Sequence, residues 1–165
     1  MQYNQDGIKS RYQLVPRTLV FIRNEDKYLF IHKKKSDSFG YEKLNGIGGH
    51  IEKGEEPYES AIREIKEETG LIINVLSLAA IVFIDIGINP GILMFVYSAA
   101  YNNGCVQASD EGELVWIAKN EIKERNDFVK DVPFLLDITE THKNGSLPKF
   151  IKYLYDKDNN LRIVM

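Results

Sequence analysis

Gly49-His50-Ile51-Glu52-Lys53-Gly54-Glu55, then seven residues, then Arg63-Glu64-Ile65-Lys66-Glu67-Glu68-Thr69-Gly70-Leu71: the chain is organised around this stretch. Helical residues turn by about 100° each, so side chains three and four apart share a face. Glu64, Glu67 and Glu68 therefore fall within one arc. Tyr58, Ile62, Ile65 and Thr69 fall on another, suited to packing on a core. Pro57 fits the first helical turn and Gly70 the C-terminal stop. Like charges at these spacings destabilise a helix and push a carboxylate toward protonation unless a cation neutralises them. A solvated acidic face is the ordinary reading of a Glu-rich helix. Gly46, Gly48 and Gly49 ahead of it favour a metal site, because glycine lets backbone approach a ligand closely. Oxygen-only ligands suit Mg²⁺ or Mn²⁺ rather than zinc.

The pattern Gly49-x5-Glu55-x7-Arg63-Glu64-Ile65-x-Glu67-Glu68-x-Gly70-Leu71 resembles the Nudix box, with every fixed position and both aliphatic positions filled. The resemblance implies an α/β fold, an α/β/α sandwich around a mixed sheet. It implies a Mg²⁺-dependent hydrolase (Mn²⁺ as the alternative) acting on a nucleoside diphosphate linked to another moiety. Glu64, Glu67 and Glu68 would be the metal ligands, with the Gly48 carbonyl adding another. Arg63 belongs to the catalytic set in a structural role, since a guanidinium paired with Glu55 would lock the loop against the helix. The general base varies within this superfamily, and Glu111 and Glu113 are the candidates from a later loop.

Substrate choice lies outside the box. Leu44-Asn45-Gly46-Ile47-Gly48-Gly49 resembles the equivalent stretch of the MutT-type oxidised-purine nucleoside triphosphatases. In those, an asparagine at the position of Asn45 hydrogen-bonds the purine. A buried asparagine tying down the loop is the alternative. The same likeness favours Glu111 over Glu113, sets Phe128 where a base-stacking aromatic stands, and sets Asp131 near a base-reading carboxylate. Departures are a Phe in place of Trp at 128, Lys130 in place of one of two adjacent acids, and a shorter segment near Pro133. The implied reaction converts a nucleoside triphosphate such as 8-oxo-dGTP to the monophosphate and pyrophosphate. ADP-ribose, a dinucleotide polyphosphate or another nucleotide conjugate is the second enzyme reading. A nucleotide-binding sensor without turnover is the third.

The 165 residues suffice for one domain with a substantial core, taken as residues 1–165. A hydrophobic content of 44% with 27% charged residues is ordinary for a globular protein. A net charge of −3 predicts no general attraction to a nucleic-acid polymer or an anionic membrane. Cys105 is the single cysteine, which excludes an internal disulfide and reads as a loop or strand-end thiol. Residues 1–13 are polar with no signal-peptide core, and no apolar run is long enough to span a membrane, so a cytoplasmic setting is expected. Composition leaves the oligomeric state open.

Residues 14–22 and 27–32 read as a hairpin around Asn24-Glu25-Asp26. Lys33-Lys34-Lys35 follows, before a polar loop over 36–43, and Lys33 at the strand end is the candidate phosphate contact. Residues 72–84 and 92–101 read as strands around Asn89-Pro90-Gly91, and 114–117 as a short strand. Asn120 reads as the cap of a brief helix over 121–125. A further helix runs from 131 to about 143, and a terminal hairpin spans 150–155 and 160–165 around a turn at 156–159.

Overall fold

The computed structural model describes residues 11–34, 41–107, 110–143, 145–156 and 160–165. Lys35, most of the polar loop after it, Ser109 and most of the turn at 156–159 lie outside the described residues. Strands β1 (Leu14–Asn24) and β2 (Lys27–Lys33) form the expected hairpin, with Asn24 opposite Lys27 and Glu25 in the left-handed region at φ 54°. They are followed by β3 (Leu44–Asn45), α1 (Pro57–Thr69), β4 (Leu76–Asp85), β5 (Gly91–Ala100) and β6 (Gly112–Ala118). Helices α2 (Lys119–Ile122) and α3 (Val132–Thr141) and strands β7 (Lys149–Tyr155) and β8 (Leu161–Val164) complete the order.

The strands make one mixed sheet in the order β3-β2-β1-β5-β4-β7-β8, with β6 paired to β2. β1 runs parallel to β5 and β4 parallel to β7, whereas the other pairs are antiparallel. Alternation along a strand sends successive side chains to opposite faces. In β1, Val20 and Ile22 join Ala61 and Ile65 of α1, while Leu19 and Phe21 join Val132, Leu135 and Leu136 of α3. Two cores on opposite faces of one sheet are the expected α/β/α sandwich.

The α1 helix begins with a reciprocal cap. Glu56 accepts from the N–H groups of Tyr58 and Glu59, and Glu59 accepts from the Glu56 N–H. It ends at Gly70, at φ 71°, whose N–H reaches the Lys66 carbonyl. The strand expected from residue 72 begins only at Leu76. Leu71 and Ile73 are buried but Ile72 and Val75 are 69% and 81% exposed, so residues 72–75 cross from helix to sheet. Tyr58 fixes that crossing: its hydroxyl donates to the Asn74 carbonyl and accepts from the Leu76 N–H. Apolar composition alone does not distinguish a strand from such a pinned connection. The brief helix also starts earlier than expected, at Lys119, with Ala118 rather than Asn120 before it. No helix among the described residues is long and apolar enough to cross a membrane.

Candidate active site

Beside β1 and β2, the C-terminal half of α1 meets the loop that precedes the helix. Glu68 is 2% exposed, and its two oxygens have different partners. Oε2 accepts from the Gly48 N–H at 2.9 Å, and Oε1 lies 2.6 Å from Lys33 Nζ. Lys33 Nζ also reaches Glu111 Oε2 at 3.0 Å. The lysine expected at phosphate is thus a buried bridge between two carboxylates, because the end of β2 points its side chain at α1. An ammonium has three donors, and two are engaged here.

Arg63 makes a denser set of contacts. Nε and one terminal nitrogen grip both oxygens of Glu55 at 2.8 and 3.0 Å. The other terminal nitrogen reaches Glu64 at 2.8 Å and Glu67 at 2.9 Å. The His50 carbonyl accepts a further bond at 3.0 Å. This bidentate geometry ties the loop to the helix. Two glycines let the loop lie this close. A Cβ on Gly49 would stand 2.4 Å from Glu64 Oε1, and one on Gly48 (φ 148°) would stand 2.2 Å from the Thr18 carbonyl oxygen.

The three box carboxylates that share an arc do not share an environment. Glu67 is exposed, whereas the side chains of Glu64 and Glu68 are 13% and 2% exposed. Burial pushes Glu68 up to about 7, against the pull of Lys33 and the Gly48 N–H. Burial also raises Glu64, outweighing Arg63, with Glu67 and Glu111 adding repulsion. Lys33 is raised overall: burial lowers it, but Glu68 and Glu111 together outweigh burial. Glu55 is held down at about 2, chiefly by its bonds to Arg63.

Two buried carboxylates that resist ionisation, among oxygen donors only, fit a hard divalent cation in kind. Gly48, Glu64, Glu67 and Glu68 are the residues that would hold it. Among the described residues, no three acidic side chains already form a closed cation cage, since Arg63 and Lys33 take up their oxygens.

Lys33, Gly48, Arg63, Glu64 and Glu67 line one end of a cavity of about 640 Å³, whereas Glu68, bonded to Lys33 and Gly48, is not part of the lining. Glu111 lies at this end, half-exposed, while Glu113 lies outside the cavity and pairs with Lys34. Asn45 and Asp131 line the same cavity with Ile84, Met94, Lys130 and Tyr153. Asn45 Oδ1 accepts from the Gly46 N–H at 2.9 Å, which ties the loop and leaves the amide nitrogen for the cavity. Asp131 stands at the start of α3 without capping it. Burial raises its carboxyl pKa, opposed by the nearby Tyr153 hydroxyl. That hydroxyl is sealed from solvent and has no partner in good hydrogen-bonding geometry, so Asp131 faces it without a well-formed bond.

Phe128 is different. It is 6% exposed and packs edge-on against Phe30 with ring centres 4.8 Å apart. It does not line the cavity. The expected stacking aromatic is a core residue, because backbone pairing of Leu44 with residues 127–129 draws the segment into the sheet. Sequence reasoning missed Tyr153, Met94, Ile84 and Arg17. They come from four strands, and only knowledge of strand order joins them. A larger hollow of about 1080 Å³, lined by Arg23, Tyr28, Tyr101 and His142 among others, holds none of the box carboxylates.

The chain is similar to known proteins in sequence and in fold. The "8-oxo-dGTP diphosphatase" of Escherichia coli is 42% identical over 50 residues, 30% of this chain and 39% of that protein. The chain thus aligns with well under half the length of that relative. The "Oxidized purine nucleoside triphosphate hydrolase" of Mus musculus is 28% identical over 106 residues, 64% of this chain and 67% of that protein. The crystal structure of the MutT protein from Bacillus halodurans superposes with a TM-score of 0.70 at 24% identity, covering 91% of this chain and 97% of that one. The profile of the NUDIX domain matches residues 13–137. The chain belongs to the Nudix family of hydrolases, which bind nucleotides and use divalent metal ions.

Proposed function

We propose that the chain, acting as one domain in a cytoplasmic setting, is a Mg²⁺-dependent pyrophosphohydrolase of nucleoside triphosphates. Oxidised purine deoxynucleotides such as 8-oxo-dGTP are its proposed substrates, and the products are the nucleoside monophosphate and pyrophosphate. One observation carries this reading: a single cavity is lined by Glu64 and Glu67 of the box and by Asn45 and Asp131. An amide and a carboxyl edge suit the mixed donors and acceptors of a purine.

A bound Mg²⁺ supplies charge neutralisation at the phosphates and a lower pKa for the attacking water. The chain's own residues do the rest. In this reading Glu111, anchored by Lys33, would accept the proton of the attacking water. Lys33 has a third donor to offer a phosphate oxygen. Arg63 acts through the loop, holding Gly48 and Gly49 against Glu64 and Glu68. Asn45 and Asp131 orient the base, so that the scissile phosphorus lies beside the box.

A second reading, hydrolysis of ADP-ribose or a dinucleotide polyphosphate, is favoured by the burial of Phe128 away from the cavity. A pyrophosphate-release screen with Mg²⁺ over 8-oxo-dGTP, dGTP, ADP-ribose and dinucleotide polyphosphates separates the two. The expected result is pyrophosphate from 8-oxo-dGTP above all others. Turnover confined to ADP-ribose or the dinucleotides sinks the first reading.

A further inference from the structure

Arg17 stands in β1 between two elements of the site. Its parallel partner in β5 is Met94, and it bridges His50 of the box loop on the other side. The backbone around it is stitched to that loop. The Thr18 N–H donates to the Gly49 carbonyl at 2.9 Å, and the Ile51 N–H to the Pro16 carbonyl at 3.2 Å. Strand and loop therefore fix where the Arg17 side chain begins. It lines the same cavity as Glu64, Glu67 and Glu111.

The three cationic groups near the box differ in one respect. Lys33 and Arg63 are paired to carboxylates. Among the described residues Arg17 makes no ion pair, although Glu52, Glu64 and Glu67 line the cavity with it. Its Nε is sealed from solvent and has no acceptor. A guanidinium carries five donors in a planar fork and remains charged, so leaving one of those donors buried without an acceptor is costly. Burial lowers its pKa accordingly. His50, whose backbone pairs with that of Arg17, offers no negative charge. What the position lacks is an anionic acceptor, and the planar fork matches the oxygens of a phosphate.

In the proposed reading the box carboxylates, Lys33 and Glu111 surround the scissile phosphate, and Asn45 and Asp131 lie toward the base. Arg17 pairs with His50 beyond the loop glycines, whereas Lys33 reaches Glu68 and Glu111. We propose that Arg17 clamps the terminal phosphate of a nucleoside triphosphate, which makes the length of the phosphate chain a specificity determinant of this site. The proposal rests on the nucleoside triphosphate reading above.

The test measures kcat and KM with Mg²⁺ for dGTP and dGDP, on the wild type and on Arg17→Ala, Arg17→Gln and Arg17→Lys. The wild type is expected to prefer the triphosphate. Arg17→Ala raises its KM by about 10–100-fold, the loss of a charged hydrogen-bonding partner. The KM for dGDP stays within about threefold, so the preference collapses while the melting temperature holds. Arg17→Lys restores part of the preference, because it keeps the charge and loses the fork. Arg17→Gln serves if the alanine variant does not fold. Equal effects on both nucleotides, no effect on either, or a wild type without triphosphate preference overturns the proposal. A wild type inactive on both nucleotides but active on ADP-ribose sinks the parent reading and the clamp with it. A wild type active on dGTP with an unaltered Arg17→Ala sinks the clamp alone.

Discussion

At one end of the cavity, Glu64 and Glu67 in the lining and Glu68 buried beside it come from five consecutive positions of a single helix. At the other, Asn45, Asp131 and Tyr153 come from a short strand, the start of α3 and β7. The first end is crowded with charge: Arg63 pairs with Glu55, Glu64 and Glu67, and Lys33 pairs with Glu68. The second end has few polar groups, and the Asp131 carboxyl and Tyr153 hydroxyl face each other without a well-formed bond. Chemistry common to many substrates is written locally and held rigidly. Under the proposed function, discrimination is assembled from distant segments, Asn45 and Asp131 among them.

The comparison is broken most directly at the crowded end. Glu68→Gln keeps the shape and the bond from the Gly48 N–H but removes the charge. Metal-dependent turnover is expected to fall by about 10³-fold with the fold intact, a loss typical of a group that stabilises transition-state charge. Steady-state rates and a circular dichroism melt together check this. Activity within about threefold of the wild type would remove Glu68 from the ligand set.

The open end predicts a different pattern. Asn45→Ala or Asp131→Asn is expected to cut the preference for 8-oxo-dGTP over a pyrimidine triphosphate by about 10–100-fold, the worth of one or two hydrogen bonds to a base. Turnover of the pyrimidine stays near wild type. Parallel losses on both substrates would mean that these residues support the cavity rather than read the base.

How much of each end could be read in advance follows from the same difference. Spacing in a helix is a local geometric rule, so the acidic arc, the Arg63–Glu55 pair and the ends of α1 were legible in the sequence. The hairpin was legible in its β-branched runs and in Asn24-Glu25-Asp26, and the sandwich followed from the family resemblance. Burial was not. Nothing in the spacing separates exposed Glu67 from buried Glu68, because that depends on how α1 sits on β1 and β2. Lys33 stood out as a phosphate contact at a strand end, but its pairing with Glu68 and Glu111 depends on how β2 meets α1 and was not legible. The lining from Ile84, Met94 and Tyr153 needs the order of β5, β4 and β7, which no local pattern encodes. Phe128 shows the reverse failure. Its position in the chain suggested a base-stacking role, and pairing with Leu44 buries it instead.

That placement gives a sharper and smaller test. Phe128→Leu exchanges one core hydrophobe for another and is expected to cost about 1 kcal/mol of stability. Base preference should be unchanged, as read by the ratio of kcat/KM for 8-oxo-dGTP and dCTP. A shift of tenfold or more in that ratio would return Phe128 to the cavity in the working enzyme.

The smallest effect concerns the clasp that keeps the crowded end rigid. Arg63 holds Glu55 at about 2, well below its ordinary value of 4.5. A carboxylate depressed in the folded state contributes stability that is present above the unfolded value and lost as pH falls toward the folded one. Glu55→Gln has no such charge to lose. The wild type should therefore be more stable than Glu55→Gln near pH 6, and the gap should narrow as pH falls from about 4.5 toward about 2. Urea midpoints of the two proteins across that range read the difference directly. Parallel curves would show that the Arg63–Glu55 contact does not stabilise the fold, and the rigidity of the loop would then have to come from the Gly48 and Gly49 backbone alone.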